Sequence, residues 1–307
     1  MGDPIYIGVS RCLLGDEVRY DGGHKRDALL IERLGPHVQW LPVCPEVEVG
    51  MGTPREPIDL ESDAGGRLRL IAVHTRRDWT EPMEQWAAAR IGGFDAARLA
   101  GFVLKSNSPS CGVERDGLFA RALTRALPNL PVEEDDRLGV DALRDNFVER
   151  IFAYARARRL FATEWTAGDL VRFHTAHKMQ LLAHSRIYYT ELGRLVAAGA
   201  GLTREALADR YEAVFMAALR EPAQSGRHAD ALRHMAGHLK DAVSTSDRQA
   251  IDRVVDDYRR AAVPLGVPLA TIRGYARRYR VTYLERQTYL NPDPREVQLR
   301  GELAALG

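Results

Sequence analysis

The sequence predicts an α/β fold: an N-terminal open, doubly wound, mostly parallel sheet, followed by an all-α C-terminal domain. Two patterns carry that prediction. In the first half, short apolar runs alternate with helix-like segments. From about Gly168 onward the strand signal fades and apolar residues recur at helical spacing.

The strand candidates are Ile5–Val9, Val38–Val43, Leu68–Val73 and Gly101–Leu104, read as buried parallel strands. Between them, Asp27–Leu34 reads as a helix stopped by Gly35-Pro36, and Trp79–Ala100 as a helix broken at Gly92-Gly93. Leu118–Leu127 and Val140–Leu160 are also helical. In the second half, helices are expected over Leu170–His184, Ile187–Ala197, Arg204–Leu219, Ala229–Val243 and Asp247–Ala262. Their breaks are Gly201, Glu221-Pro222 and the Val263–Pro268 stretch, and the tail from Asn291-Pro292-Asp293-Pro294 reads as extended. The domains are therefore expected at residues 1–160 and 161–307, with the boundary near Arg156-Ala157-Arg158-Arg159.

At 307 residues the chain favours two domains over one. No stretch approaches the roughly 20 apolar residues of a membrane span. The first residues lack a basic region and a long apolar run, so no signal peptide is expected, and the cytoplasm is the expected compartment. Net charge is only +1, which does not announce a nucleic-acid partner. The halves differ mildly. Residues 1–160 sum to −3 and the remainder to +4, and six of nine histidines lie in the second half.

The three cysteines are odd in number and far apart, unlike an extracellular disulfide framework. Each follows a strand candidate: Cys12 after the first, Cys44 after the second, Cys111 after the fourth. In open α/β sheets, ligands bind outside the carboxyl ends of strands, so the three thiols can converge there. The set lacks the close CxxC pairs of structural zinc sites. Two readings remain open from spacing alone: a shared cluster, or three unrelated buried thiols.

The residues around the cysteines carry a resemblance. Gly8–Gly15, Tyr20–Lys25, Val43-Cys44-Pro45-Glu46, Leu104–Gly112, Gly117–Leu123 and Leu130–Glu134 resemble the thiouracil desulfidase family, over about residues 5–155. The second half resembles the YbgA-like helical domain. The matching segments are Arg172–Lys178, Leu181–Ser185, Tyr189, Leu192–Val196, Gly237–Lys240, Val263–Leu269 and Tyr283–Leu290. The pairing is similar to two-domain tRNA 4-thiouridine desulfidases.

The resemblance implies a non-redox desulfidase that converts 4-thiouridine in tRNA to uridine. It implies a 4Fe–4S cluster held by Cys12, Cys44 and Cys111 with one iron open. Glu46, tethered two residues past Cys44, is the expected proton-transfer residue. Ser108, and less directly Ser110, are expected to touch the pyrimidine edge or relay a proton. Each has a plainer alternative: Glu46 as a helix cap, and Ser108-Pro109-Ser110 as a turn. His24 and Lys25 follow a Gly-rich turn and are expected near phosphate or substrate, or only in a turn. Lys105 is expected beside the cluster or as a solvated strand end.

In the helical half, His174, His177 and His184 fall on one helical face, without an HExxH pattern, and read as a packed polar face rather than a metal site. His174, Lys178, Arg186 and Arg194, with Arg172, form a basic set suited to RNA docking. So do Arg273, Arg277, Arg278 and Arg280 among Tyr275 and Tyr279. Either set also reads as a solvated face. The competing functions are a desulfidase of free thiouracil, a non-catalytic iron–sulfur RNA-binding sensor, and a cluster-free scaffold. The sequence names no sulfur acceptor.

Overall fold

The computed structural model describes residues 3–96 and 99–306 and divides into two compact units, Met1–Val140 and Asp141–Gly307. In the first unit, β1 (Tyr6–Ser10) pairs in parallel with β2 (Gln39–Val43). A separate antiparallel hairpin comprises β3 (Ile58–Ser62) and β4 (Leu68–Ala72), and β5 (Leu99–Leu104) and β6 (Val132–Glu134) complete the main sheet. That sheet is wholly parallel, in the order β2-β1-β5-β6. The first strand therefore lies inside, with later strands added to both sides of it. Such an order creates a switch point where loops diverge at the carboxyl edge.

Two expectations are corrected here. Leu68–Ala72 is a strand, but of the antiparallel hairpin rather than the parallel sheet. Its Leu-Arg-Leu alternation marks a strand with one face exposed, and Asp63 with Gly65-Gly66 supplies the turn back from β3, which the sequence reading missed. Helix α1 (Pro45–Glu48) follows β2, and α2 (Thr80–Ala96) runs through Gly92-Gly93 without a break. Phe94 holds that turn: it is buried edge-on against Phe102 at 5.8 Å. Part of the expected Trp79–Ala100 helix lies outside the described residues, and β5 begins at Leu99. α3 (Leu118–Ala126) matches its expected range. Gly8 is required in β1, because a Cβ there would lie 2.2 Å from the Phe102 ring.

The second unit is all helical. It comprises α4 (Asp141–Phe161), α5 (Ala167–Ala176), α6 (Lys178–His184), α7 (Arg186–Ala198), α8 (Arg204–Leu219), α9 (Ser225–Gly237), α10 (Thr245–Arg259), α11 (Gly266–Arg278), α12 (Thr282–Glu285) and α13 (Pro294–Leu299). Local chemistry sets several starts. Thr166 and Asp169 form a capping box on α5, and Ser185, Thr203 and Ser244 cap α7, α8 and α10. A core of Leu232, Met235, Leu269, Ile272, Leu284 and Leu290 fills this unit.

The unit boundary falls at 140/141 instead of 160/161. α4 buries Phe147, Val148, Ile151 and Phe152 and packs on α8 and α13, so it belongs to the helical unit. The expected Leu170–His184 helix is two helices joined at His177. The tail is not extended. Pro294 starts α13, Asp293 caps it, and Val297, Leu299, Leu303 and Leu306 are buried. Among the described residues, no helix is long and apolar enough to cross a membrane.

A candidate active site at the carboxyl edge of the sheet

Strand register brings the three cysteine loops together. Ser10 pairs with Val43 and Val9 with Val103, so β1, β2 and β5 end side by side. Cys12 lies in the tight turn Arg11–Leu14, closed by Gly15 at φ 100. Cys44 precedes α1, and Cys111 ends the Ser106–Cys111 loop after β5. All three line one cavity of about 280 Å³, with Glu46, Arg55, Lys105, Ser108 and Arg115.

Each loop is braced. The Cys12 carbonyl accepts the N–H of Gly15 at 3.3 Å and of Lys25 at 2.9 Å. In the Cys111 loop, Gly112 is required: a Cβ there would lie 2.8 Å from the Ser108 carbonyl oxygen. Lys105 donates Nζ to Asp135 at 2.9 Å and to the Ser106 hydroxyl at 2.8 Å, which stitches β5 to the loop. Cys44 and Cys111 are buried and Cys12 half-buried. Burial pushes the Cys12 thiol up to about 11, with the neighbouring Cys44 adding to it. Burial likewise raises Cys44, and Cys111 further, where Glu46, Cys12 and Cys44 add their repulsion.

Glu46 is not a helix cap. Glu48 takes that place, accepting the Cys44 N–H on Oε1 at 3.0 Å. Glu46 instead accepts Arg55 Nε on Oε2 at 3.0 Å, and Arg55 Nη2 on the same oxygen. Its Oε1 accepts the Ser110 hydroxyl. Ser108 Oγ accepts the Cys111 N–H at 3.1 Å and the Ser110 N–H at 3.3 Å, and lies 3.1 Å from Ser110 Oγ. A carboxylate only accepts, so Ser110 spends its proton on Glu46 and receives one from Ser108. The hydroxyl row thus runs from Ser108 at the cavity wall, through fully buried Ser110, to Glu46.

The structure does not bring every expected residue here. The side chains of His24 and Lys25 are exposed and absent from the cavity lining; their loop contributes backbone support to Cys12. In the helical unit the three histidines diverge. His174 stacks on Tyr189 at 5.2 Å and meets Tyr211 Oη at 3.1 Å. His177 donates Nδ1–H to the Phe173 carbonyl at 2.7 Å and accepts Arg156 on Nε2 at 3.2 Å, a neutral tautomer. His184 Nε2 meets Glu149 at 3.2 Å. Lys178 is half-buried, and Arg186 and Arg194 are exposed. Arg273 and Tyr275 are tied to the Leu306 carbonyl and to Asp247, so that stripe is not simply solvated.

Arg55 was missed, although an arginine between Pro54 and Pro57 in a Gly-rich loop was its signal. Arg19, Tyr20 and Arg115, at the cavity wall, were missed too, because surface loops carry no periodicity.

Comparison with known proteins finds a separate relative for each half of the chain. Residues 7–135 match the 2-thiouracil desulfurase family model, and residues 178–294 match a family of unknown function, DUF1722. The chain is 31% identical over 157 residues to the uncharacterized protein YbgA of Escherichia coli K12, covering 51% of this chain and 93% of YbgA. It is 33% identical over 111 residues to the uncharacterized protein YbbK of Bacillus subtilis 168, covering 34% of this chain and 72% of YbbK. The chain belongs to the 2-thiouracil desulfurase family, with a YbgA-like second region. Among solved structures it is similar to the 4Fe-4S-dependent thiouracil desulfidase TudS, with 31% identity, a TM-score of 0.37, and coverage of 44% of this chain and 93% of that one.

The donor chemistry fits the iron–sulfur group that the sequence resemblance implies. Among the described residues, no three His, Cys, Asp or Glu side chains close on a single metal ion. Three thiols around one cavity are soft donors of the kind an iron–sulfur group takes, and its cations would offset the burial that disfavours thiolate.

Proposed function

We propose that the chain is an iron–sulfur-dependent desulfidase that replaces C=S by C=O on a thiolated pyrimidine, its substrate being 4-thiouridine in tRNA. The observation carrying this reading is the convergence of Cys12, Cys44, Cys111, Glu46 and Ser108 on one cavity at the switch point of the sheet. The three cysteines would hold a 4Fe–4S cluster, which when bound supplies a Lewis-acidic iron with affinity for sulfur.

The remaining work falls to the chain. Water adds to the thiocarbonyl carbon and sulfur leaves. The sum is thiocarbonyl plus water to carbonyl plus hydrogen sulfide, without electron exchange. The proton lost by water passes to Ser108, Ser108 passes one to Ser110, and Ser110 passes one to Glu46 Oε1. Return along the same row gives the departing sulfur one proton, and the hydroxyl of the water adduct gives up the second as the carbonyl forms. Cations at the cavity wall, Arg19 and Arg115 among them, suit a substrate that carries phosphate.

In the helical unit, Lys178 lies close enough to His174, His234 and His238 to lower each of them, behind burial as the main cause. Lys178, exposed Arg186 and Arg194, and the His174–Tyr189 stack suit docking of RNA backbone and bases. The test of the chemistry is Glu46→Gln in cluster-reconstituted protein. Iron content and visible absorbance stay at wild-type levels, while turnover falls about 100-fold, the usual scale for a lost general base. Unchanged turnover would remove Glu46 from the mechanism.

A further inference from the structure

Arg55 has no role in the reading above, yet it is among the most buried cations of its unit, with a side chain 6% exposed. Its guanidinium is spent on three segments of chain. Nη1 donates to the Val18 carbonyl at 3.0 Å and to the Gly52 carbonyl at 2.9 Å. The opposite edge, Nε and Nη2, grips Glu46 Oε2. A guanidinium is planar and rigid, so pinning the Nη1 corner on two backbone carbonyls sets the direction of the other edge.

Glu46 needs such a guide. It stands on a four-residue helix, and a side chain with three torsions would otherwise be free to turn back on the backbone. Because Arg55 holds only Oε2, Oε1 is left to the Ser110 hydroxyl. The Val18 carbonyl that anchors Arg55 also lies 3.8 Å from the Cys44 sulfur, so carboxylate and cysteine loop share one reference point. We infer that Arg55 is the positioning residue of the reaction, fixing the Glu46 carboxylate by one oxygen so that the other faces the Ser110–Ser108 row. This rests on the proposed role of Glu46.

A merely structural arginine predicts a different outcome from a positioning one. In full-length, cluster-reconstituted protein, Arg55→Ala and Arg55→Lys should lower kcat at least tenfold and leave KM within twofold. Iron per chain should match wild type. Added guanidinium ion should restore part of the Arg55→Ala turnover and none of the Glu46→Gln turnover. Turnover within twofold of wild type in Arg55→Ala would overturn the inference, and so would a loss that tracks iron content or resists guanidinium.

A second readout needs no cluster and no reaction. In cluster-free protein, Arg55→Ala and Ser110→Ala should shift the melting temperature non-additively, because the two meet only through Glu46. Additive shifts would overturn the inference. Wild-type protein inactive on every thiolated pyrimidine would sink the proposed function instead, leaving this coupling to decide the role of Arg55.

Discussion

Replacing Arg300 by methionine removes a cation that three carboxylates share. Arg300 lies in the C-terminal tail, 3% exposed, and donates to Glu296 Oε1 at 2.9 Å and to Glu302, with Glu149 Oε2 at 3.2 Å. Burial alone would push the Glu149 carboxyl up, but Arg300 and His184 hold it well below the usual range. Burial raises Glu296 despite Arg156 and Arg300. Breaking a buried pair from one side typically costs about 3–5 kcal/mol. His184 stays on Glu149 and Arg156 on Glu296, both at 3.2 Å, so the low end, about 3 kcal/mol, is expected. For a unit of this size that is a fall of roughly 6–12 °C in melting temperature. Thermal unfolding followed by circular dichroism measures it. Adding Glu149→Gln to Arg300→Met should recover part of the loss, since the stranded charge is then gone. A fall below about 2 °C, or a double variant no better than the single, would refute the electrostatic reasoning.

Other perturbations probe other parts of the account. Gly112→Ala places a Cβ 2.8 Å from the Ser108 carbonyl oxygen. It should destabilise the cysteine loop by about 1–3 kcal/mol and lower iron bound per chain after reconstitution. The helical unit should lose stability in acid. Burial, with Arg156, lowers His177 to about 3, so between pH 6.5 and about 3 the unfolded chain takes up a proton that the folded chain refuses. Stability is therefore full above pH 6.5 and falls below it by up to about 1.4 kcal/mol per pH unit for this group. In urea titrations His177→Phe should show a shallower decline by that amount, and an identical slope would contradict the assignment. Lys178→Glu with Arg186→Glu should weaken tRNA binding and flatten its salt dependence; unchanged affinity and slope would remove this face from RNA docking.

The parts of the fold legible in the sequence were those with periodic signals. The strand ends preceding Cys12, Cys44 and Cys111 were readable as apolar runs meeting polar loops, and α8 spans Arg204–Leu219 as its apolar spacing predicts. The hairpin was misread because a single half-exposed strand and a buried parallel one look alike over five residues. The tail was misread because its two prolines suggested extension, whereas Pro294 occupies a position that tolerates proline at a helix start. Arg300 gave no signal, since a buried arginine is identified only by the distant carboxylates that surround it. At the site, the cysteines and Glu46 were readable by tether and resemblance. The turn of Glu46 toward Arg55, and the order of Ser108 and Ser110, depend on how distant loops meet. Lone Gly-rich turns such as Asp21–Lys25 invite a ligand reading, but this one braces the Cys12 carbonyl through its backbone.

The central claim is tested most directly by anaerobic assay of the cluster-reconstituted protein on thiolated bulk tRNA and, separately, on free thiouracil. Loss of thiocarbonyl absorbance is followed, and the nucleosides are then identified. The account predicts conversion of 4-thiouridine to uridine within tRNA, abolished by Cys111→Ala. An intact cluster that converts neither substrate would contradict the desulfidase reading, and conversion of the free base alone would contradict its assignment to tRNA.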